Sequence, residues 1–389
     1  MPVINRVAAL SDEITAWRRD FHQHPELLFA LDRTSGLVAE RLRAFGCDEV
    51  VTGLGKTGVV AVIRGRDTGS GKVIGLRADM DALPIEETSG VPHRSTVPGT
   101  MHACGHDGHT AMLLGAAKYL AETRNFDGTA VMIFQPAEEG GGGADVMLKD
   151  GLMERFGIQE VYGLHNMPGL PLGSFAIRPG AIMAAADRIT ITVNGKGGHA
   201  AAPHNCIDPV LVASHIVTAL QSITSRTIDP IESAVISITQ VKAGDAFNVI
   251  PEFAILNGTV RTLSESVRDL CEARIAQVAS NVAAAFGATA TADYGRGYPV
   301  TANDPGRASF MADVAAEVSG EGAVERAVQP MMGAEDFSYM LNARPGAYIF
   351  LGTGPGAGLH HPAYDFNDQA APYGVSLFAR MIERAMPAA

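Results

Sequence analysis

The sequence predicts an α/β protein into which a smaller α+β domain is inserted. Towards both ends of the chain, short apolar runs suited to strands buried on both faces alternate with helical patterns. In between, apolar and polar residues alternate along strands that follow the order β-α-β-β-α-β of a ferredoxin-like sandwich. The length of 389 residues also exceeds the size at which a single core keeps growing. We therefore expect one domain over residues 1–184 and 298–389, and an inserted domain over residues 185–297.

The elements of the larger domain are predicted from hydrophobic periodicity. Helical patterns cover residues 5–23 and 35–45 near the amino terminus. Buried strands are expected at residues 59–63, 73–76, 129–134, 161–164 and 347–351, and further helices at residues 109–120, 305–318 and 371–386. Several of these strands lead directly into acidic residues or histidine, so side chains able to bind metal lie at the ends of buried strands.

The inserted domain begins with a strand in which Ile189, Ile191 and Val193 alternate with polar residues, as in a sheet with one solvated face. The remaining elements are a helix at residues 209–223, strands at residues 234–241 and 253–262, a helix at residues 266–286 and a strand at residues 289–294. A segment of about 110 residues is long enough for a small domain of this kind.

The composition argues against several classes of partner. A formal net charge of −12 argues against nucleic acid, because neutralising phosphates requires clustered lysine and arginine. No apolar run reaches the length of a membrane span, and the amino terminus lacks the basic start and apolar run of a signal peptide. The four cysteines are widely spaced, which does not suit a disulfide framework. We expect a cytoplasmic protein that binds neither nucleic acid nor membranes.

The stretch from Met101 to His109 is the most concentrated motif in the chain. It holds one thiol, three imidazoles and one carboxylate within nine residues. These side chains bind borderline divalent cations such as zinc, manganese, cobalt or nickel. Gly105 allows Cys104 and His106 to approach a common centre, and Gly108 is expected to open the following helix. The alternative is a polar turn that happens to be rich in histidine, but short tracts of histidine and cysteine usually bind metal.

Other polar side chains follow the predicted strands. Asp79 and Asp81 come just after one strand, Glu138 and Glu139 after the next, and His165 after a third. In an open α/β sheet, ligands lie in the crevice beyond the carboxyl ends of the strands. We therefore expect one crevice to gather Asp79, Cys104, His106, Glu138, Glu139 and His165.

The pair Glu138 and Glu139 predicts a division of labour at this crevice. Glutamate pairs usually mark solvated helix faces, but this pair lies between an apolar strand and the glycine run 140–143. One carboxylate can coordinate a metal ion while its neighbour stays available to take a proton from water.

The remaining motifs allow a structural and a functional interpretation. His22 and His24 could be catalytic, but histidines at helix ends are more often structural, and we favour that interpretation. Residues 195–204 could be a glycine-rich hairpin with an incidental histidine, and they lack the ending of a phosphate-binding loop. Asn248 and Arg261 lie in the second half of the inserted domain, where an arginine either solvates a strand or binds a substrate carboxylate.

Taken together, the motifs resemble the metal-dependent aminoacylase and carboxypeptidase superfamily. The similarity is greatest to its branch of hippurate hydrolase, indole-acetyl-amino-acid hydrolases and N-acyl-amino-acid amidohydrolases. The matching blocks begin at residues 22, 76, 101, 135, 163, 195, 247, 333 and 359, and they extend to residue 368. One departure is Ala334, which stands where this branch has a second glycine.

The resemblance implies a mixed-sheet catalytic domain of the di-metal peptidase type, with the insertion as a lid and dimerisation domain in a homodimer or homotetramer. It implies two divalent metal ions (zinc, manganese, cobalt or nickel), and the positions that match the ligands are Cys104, His106, Glu139, His165 and His360. Glu138 matches the general base, and Asp79 a carboxylate that orients the site. His199 matches a residue that steadies the oxyanion across a dimer interface, and Asn248 and Arg261 match substrate-binding positions.

The expected reaction is hydrolysis of an N-acyl-L-amino acid to a carboxylate and a free amino acid. Within the same mechanism, a dipeptidase or an N-acetyl- or N-succinyl-diaminopimelate deacylase is the alternative. A binding protein that kept the fold and lost turnover is a second alternative, although it would be expected to have lost Glu138 or a ligand. A structural zinc protein is disfavoured, because structural sites are closed by four ligands with no neighbouring base.

Overall fold

The structure is a computed structural model that describes residues 3–388, and it contains two compact units. Unit 1 comprises the chain up to Gly180, together with Ala302–Gln329 and the chain from Asp336 onward. Unit 2 comprises Ala181–Thr301 and Pro330–Glu335. Among the described residues, every helix is too short or too polar to cross a lipid bilayer.

The secondary structure consists of α-helices and mostly short strands. The helices are α1 (Asn5–Ala9), α2 (Ser11–Gln23), α3 (Asp32–Ala44), α4 (His106–Thr123), α5 (Gly143–Lys149), α6 (Leu152–Arg155), α7 (Pro209–Ser222), α8 (Glu265–Ala285), α9 (Pro305–Ser319), α10 (Phe337–Ala343) and α11 (Ala371–Ala385). The strands are β1 (Glu49–Leu54), β2 (Gly58–Arg64), β3 (Val73–Asp79), β4 (Thr129–Gln135), β5 (Glu160–Met167), β6 (Phe175–Ala176), β7 (Gly180–Met183), β8 (Ala185–Asn194), β9 (Gly198–His199), β10 (Ala234–Ala243), β11 (Val249–Ile250), β12 (Phe253–Thr262), β13 (Thr289–Arg296), β14 (Thr301–Asn303), β15 (Val324–Glu325) and β16 (Gly346–Gly352).

Unit 1 is built on an eight-stranded mixed sheet with the order β1-β2-β4-β3-β5-β16-β6-β15. Its four central strands, β4, β3, β5 and β16, are parallel to one another, whereas β1 and β2 pair antiparallel. The central strands are buried on both faces, which explains their nearly continuous apolar sequences. Because they run in one direction, their carboxyl ends meet at a single edge of the sheet.

Helix α4 lies at the centre of the unit 1 core, packed against the sheet and against α2 and α11. Nearly all of its residues are buried, as its apolar composition on every face requires. The helix begins at His106, three residues earlier than predicted. The reason is that Gly105, rather than Gly108, adopts the left-handed conformation (φ +85°) that precedes the first turn.

Unit 2 contains an antiparallel sheet with the order β10-β12-β8-β13, and α7 and α8 pack on its apolar face. The chain order β8-α7-β10-β12-α8-β13 is the predicted β-α-β-β-α-β succession. Ile189, Ile191 and Val193 of β8 point into this core, as their alternation indicates. Asp208 and Ser264 cap α7 and α8 by accepting hydrogen bonds from main-chain N–H groups of the first turn.

The prediction of a mixed α/β fold is confirmed, with several local corrections. The helix expected over residues 5–23 is two helices, because the chain is interrupted at Leu10. The prediction missed β1, in which only Leu54 is buried and the apolar residues form no long run. It also missed the short strands and helices that depend on tertiary pairing, such as β6, β15 and α10.

Candidate metal centre

The side chains expected to bind metal lie at the carboxyl edge of the parallel strands of unit 1. Asp79 ends β3, and the chain leaves β4 through Pro136 and Ala137 to reach Glu138 and Glu139. His165 lies within β5, which continues to Met167 and is therefore longer than predicted. His106 is the first residue of α4 and Cys104 lies just before it, whereas His360 follows β16 along the chain.

Their ligand atoms form three overlapping groups, and within each group all of them lie within 4.8 Å of one another. The groups are Cys104, His106 and His165; Cys104, Glu139 and His360; and His106, Glu138 and Glu139. The thiol of Cys104 lies 3.4 Å from Nε2 of His165, and Nε2 of His360 lies 3.2 Å from Oε1 of Glu139. The structure thus brings the five expected ligands and the expected base to one place.

Hydrogen bonds to the main chain orient two of these histidines. His106 donates its Nδ1–H to the carbonyl of Asp81 at 2.8 Å, and His165 donates its Nδ1–H to the carbonyl of Asn166 at 2.8 Å. Both imidazoles therefore present Nε2 to the centre, which is how outer hydrogen bonds orient metal-binding histidines. Nε2 of His106 is buried and has no hydrogen-bond partner within residues 3–388. Thiol, imidazole and carboxylate donors arranged in this way fit divalent metal ions.

Asp79 supports these groups through hydrogen bonds to its buried neighbours. Its Oδ2 accepts a hydrogen bond from Arg77 at 2.6 Å, and its Oδ1 accepts one from Nδ1 of His109 at 2.6 Å. Burial opposes ionisation, but the charge of Arg77 and the neighbouring histidines hold the pKa of Asp79 well below its usual value. Nε2 of His109 accepts a hydrogen bond from the main-chain N–H of Asn166 at 3.0 Å. Both nitrogens of His109 are therefore engaged, so it serves as a support and not as a ligand.

Asp81 also has a role at this site that the sequence analysis did not assign. Its Oδ1 accepts a hydrogen bond from the main-chain N–H of Glu138 at 2.9 Å, and its Oδ2 accepts one from that of Glu139 at 3.0 Å. Its carbonyl holds His106, as described above. The turn that points both N–H groups at Asp81 includes Ala137 with φ +56°, an uncommon conformation for a residue with a Cβ. The sequence feature that could have indicated this role is the pair of carboxylates in Asp79-Met80-Asp81 at a strand end.

Gly105 makes a close approach possible between the two ligand-bearing segments 104–106 and 165–166. A Cβ atom at this position would lie 2.4 Å from Oδ1 of Asn166 and 2.7 Å from the Tyr364 hydroxyl. Asn166 donates to that hydroxyl at 2.6 Å, so the contact is with a fixed group. Both the left-handed backbone and the lack of space require glycine here.

Three further predicted site residues lie in unit 2. His199 pairs with Val249 across β9 and β11, and the N–H of Ala200 donates to the carbonyl of Asn248 at 3.0 Å, so His199 and Asn248 are neighbours. Nδ1 of His199 accepts a hydrogen bond from the N–H of Ala201 at 3.0 Å. The imidazole therefore carries its proton on Nε2. Arg261 lies on β12, outside this ladder, and burial lowers the pKa of its guanidinium.

The histidine pair near the amino terminus is separate from the ligand groups. His22 is fully buried between the carboxylates of Asp107 and Glu87, whereas Nδ1 of His24 bonds the carbonyl of Asp20. Burial alone would lower the pKa of His22, but the charge of Asp107 and its hydrogen bonds outweigh burial and raise the pKa to about 9.

Comparison with known proteins identifies the relatives of this chain. Residues 75–384 match the sequence profile of peptidase family M20/M25/M40. The chain belongs to this family. A hippurate hydrolase of Campylobacter jejuni is 42% identical over 381 residues, which is 98% of each chain. An N-acetylcysteine deacetylase of Bacillus subtilis is 40% identical over 365 residues, which is 94% of each chain.

A solved structure agrees with these relatives. The crystal structure of YXEP of Bacillus subtilis, described as a dinuclear metal-binding peptidase of the M20 family, matches 97% of this chain and 99% of its own with a TM-score of 0.86 and 35% identity. The expectation of an amidohydrolase of this family is confirmed. This M20 family member is a hydrolase that acts on a small molecule. The candidate ligand groups, together with the dinuclear relative, support the binding of two divalent metal ions.

Proposed function

We propose that the protein hydrolyses the amide bond of N-acyl-L-amino acids, with a benzoyl or acetyl group as the acyl part, to a carboxylate and a free amino acid. The observation that carries the proposal is the location of Glu138, whose carboxylate lies beside the candidate ligands His106 and Glu139 in a buried edge of the sheet. The hippurate hydrolase and the N-acetylcysteine deacetylase cover nearly the whole chain, which supports this substrate class.

The ligands assigned in this proposal are Cys104, His106, Glu139, His165 and His360. Together they offer one thiolate, three imidazoles and one carboxylate, a donor set that suits zinc, manganese, cobalt or nickel rather than magnesium or calcium. When bound, two such ions supply Lewis acidity, which polarises the amide carbonyl and acidifies water.

Glu138 is assigned as the general base. In this role its carboxylate takes a proton from the attacking water and delivers it to the leaving amine. The geometry supports the assignment because the adjacent N–H groups of Glu138 and Glu139 are both held by Asp81, which restricts the motion of the pair. Glu139 can then coordinate metal while Glu138 moves the proton.

His199, Asn248 and Arg261 are assigned to the substrate. The hydrogen bond that His199 accepts at Nδ1 leaves Nε2–H as a neutral donor, the form needed to stabilise an oxyanion. The planar guanidinium of Arg261 suits a substrate carboxylate, and its half-buried position strengthens such a contact. Asn248 adjoins His199 and is placed in the same substrate-binding group.

The oligomeric state proposed is a homodimer, alone or within a homotetramer, with residues 185–297 as the lid and dimerisation domain. In support, β10 is an edge strand of the unit 2 sheet, and Val235 and Val241 on it are exposed. An uncovered edge with apolar side chains is suited to pairing with another chain. Light scattering on the purified protein tests this assignment. The location in the cytoplasm also stays a prediction.

The experiment that tests the function is the release of free amino acid from a panel of amides, with metal-stripped and metal-restored protein compared. The panel contains hippurate, N-acetyl-amino acids, an indole-acetyl-amino acid, N-acetyl-diaminopimelate and a dipeptide. Metal-dependent cleavage of benzoyl or acetyl amino acids is expected. Cleavage confined to the dipeptide or the diaminopimelate compound would overturn the substrate class, and no cleavage with any restored ion would favour a binding protein.

A further inference from the structure

A buried group of charges lies behind the candidate metal centre, on the side of α2. Nδ1 of His22 is 2.8 Å from Oδ2 of Asp107, and its Nε2 is 3.2 Å from Oε1 of Glu87. Nη1 of Arg18 lies 3.6 Å from the same Oδ2 of Asp107. Arg18, His22 and Asp107 are each at most 1% exposed, so these charges are almost fully removed from water. A buried carboxylate is tolerated only when it is paired, and here two cations of α2 pair it.

Asp107 links this group to the ligands of α4. It follows His106 directly and lies in the first helical turn, where its main chain continues from Cys104 and His106. The carboxylate that α2 pairs and the imidazole of His106 are therefore carried by the same helical turn. The position of His106 therefore depends on where α2 places Arg18 and His22.

The same arginine also reaches the segment that carries the last candidate ligand. Arg18 donates from Nη1 to Asp365 at 2.8 Å and from Nε to Asp368 at 2.7 Å. His360 lies a few residues earlier in this segment, and its main-chain N–H donates to the carbonyl of Ala103 at 2.8 Å. Arg18 is thus a single buried side chain that contacts acidic groups of both the first turn of α4 and the segment that carries His360.

Close packing leaves little room for these two segments to shift independently. A Cβ atom at Gly108, in the first turn of α4, would lie 2.5 Å from the ring of Phe366. Phe366 is itself 1% exposed and adjoins Asp365. The first turn of α4 and the segment 359–368 therefore meet at contact distance, and the ion pairs of Arg18 fix how they meet.

We infer that Arg18 and His22 are positioning residues of the metal centre. Both hold the start of α4 through Asp107, and Arg18 also sets the separation between the start of α4 and the segment that carries His360. This inference rests on the ligand set of the proposed function. A purely structural role for the same ion pairs predicts a loss of stability with unchanged affinity for metal. A positioning role predicts weaker binding in protein that is still folded, because supporting groups of a metal site commonly contribute 10–100-fold to affinity.

The test is a titration of metal-stripped full-length protein with Co²⁺ and with Zn²⁺, in competition with a chromophoric chelator. His22→Gln removes one of the two cations that pair Asp107, and Asp365→Asn weakens the contact of Arg18 with the His360 segment. Asp365 is partly exposed, with 28% of its side chain accessible, which makes Asp365→Asn the variant that retains its fold if His22→Gln does not. Circular dichroism and thermal unfolding identify folded protein.

The matched control is Glu13→Gln. Glu13 also joins α2 to α4, through Lys118 at 2.6 Å, but this exposed pair lies in the distal part of α4. The control is expected to bind both ions like the wild type. His22→Gln is expected to bind the metal ions at least about tenfold more weakly. Asp365→Asn is expected to weaken the binding of one of the two ions by a similar factor. The absorption of the Co²⁺-loaded thiolate site is expected to change in both variants.

Two outcomes contradict the inference in distinguishable ways. If both folded variants bind two ions within twofold of the wild type and with an unchanged Co²⁺ spectrum, the ion pairs are structural only, and the ligand set still holds. If the wild type does not bind two ions, or if Cys104→Ala and His360→Ala bind as it does, the ligand set fails and the inference fails with it.

Discussion

Asp81 accepts a hydrogen bond from the main-chain N–H of Glu138, with 2.9 Å between Oδ1 and the nitrogen. The assigned base is therefore held through its backbone by a carboxylate just beyond the end of the neighbouring strand β3, while the other oxygen of Asp81 holds Glu139. Because both oxygens accept from N–H groups, an amide cannot replace this carboxylate without turning a donor toward a donor.

Asp81→Asn is expected to lower kcat by about 10–100-fold, since the turn that carries Glu138 and Glu139 loses one of its two hydrogen bonds. Steady-state kinetics with a cleaved N-acyl amino acid measures the effect. Asp304→Asn is the control, because Asp304 caps α9 by accepting from the N–H of Arg307, a role that asparagine fills equally well. An unchanged kcat in Asp81→Asn would show that the turn is held without it.

Glu138→Gln is expected to reduce turnover by about 10²–10⁴-fold, because glutamine keeps the shape of the side chain but cannot accept a proton. Metal content measured on the same sample is expected to remain at the wild-type value, since Glu139 and the other assigned ligands are intact. Near-normal activity in this variant would mean that another group is the base. Loss of metal together with activity would place Glu138 among the ligands.

The stability of unit 1 is expected to fall as the pH rises from about 6.5 to about 9. Burial opposes the charge of His22, but Asp107 and Glu87 outweigh it and raise the pKa from 6.5 to about 9 in the folded chain. The stabilisation from this charge is complete below pH 6.5, where the unfolded chain is also protonated, and is lost as the pH passes through 9. The shift corresponds to about 3 kcal/mol.

Chemical denaturation at a series of pH values measures this dependence, and His22→Gln is the reference. The decline between pH 6.5 and 9 is expected to be steeper in the wild type than in His22→Gln, because glutamine does not titrate, whereas the raised pKa of His360 affects both proteins alike. Parallel curves for the two proteins would assign the decline to other groups. The pKa values of Glu87 and Asp107 are lowered because both carboxylates pair with His22. These shifts arise from the same ion pairs, so their free energies are not added to that of His22.

Gly105→Ala is expected to lower the free energy of unfolding by more than the strain of a left-handed backbone alone would. A residue with a Cβ in this conformation costs about 1–2 kcal/mol, and forcing that Cβ against Asn166 and Tyr364 adds about 1–3 kcal/mol. Gly151→Ala is the matched control, because Gly151 has the same φ of +85° with open space around it. Thermal unfolding and metal titration are expected to show the larger loss in Gly105→Ala. Equal losses would mean that Asn166 moves aside freely.

Much of this site could be predicted from single residues because metal ligation requires particular side chains at strand ends. Glu139 and His165 follow this pattern, and so does the base assigned as Glu138, whereas Cys104 and His106 were indicated by the histidine- and cysteine-rich motif that precedes and begins α4. The role of Asp81 could not be predicted, because it depends on a turn in another strand connection. His109 has the composition of a ligand, and only its two hydrogen bonds show that it is a support.

The fold was predictable where hydrophobic periodicity is long, as in α4 and the central strands. It was not predictable where the partner is distant in sequence. The contact of Arg18 with Asp365 joins the two ends of the chain, and no local pattern marks it. The first helix is likewise interrupted at Leu10 although residues 5–23 contain no Gly or Pro that would predict a break.

Unit 2 lies between His165 and His360 in the order of the chain. An ion bound by ligands from both sides of this insertion acts as a removable cross-link that closes a very long loop. Such a cross-link binds the native chain and not the unfolded one, so its contribution to folding rises with the concentration of the ion.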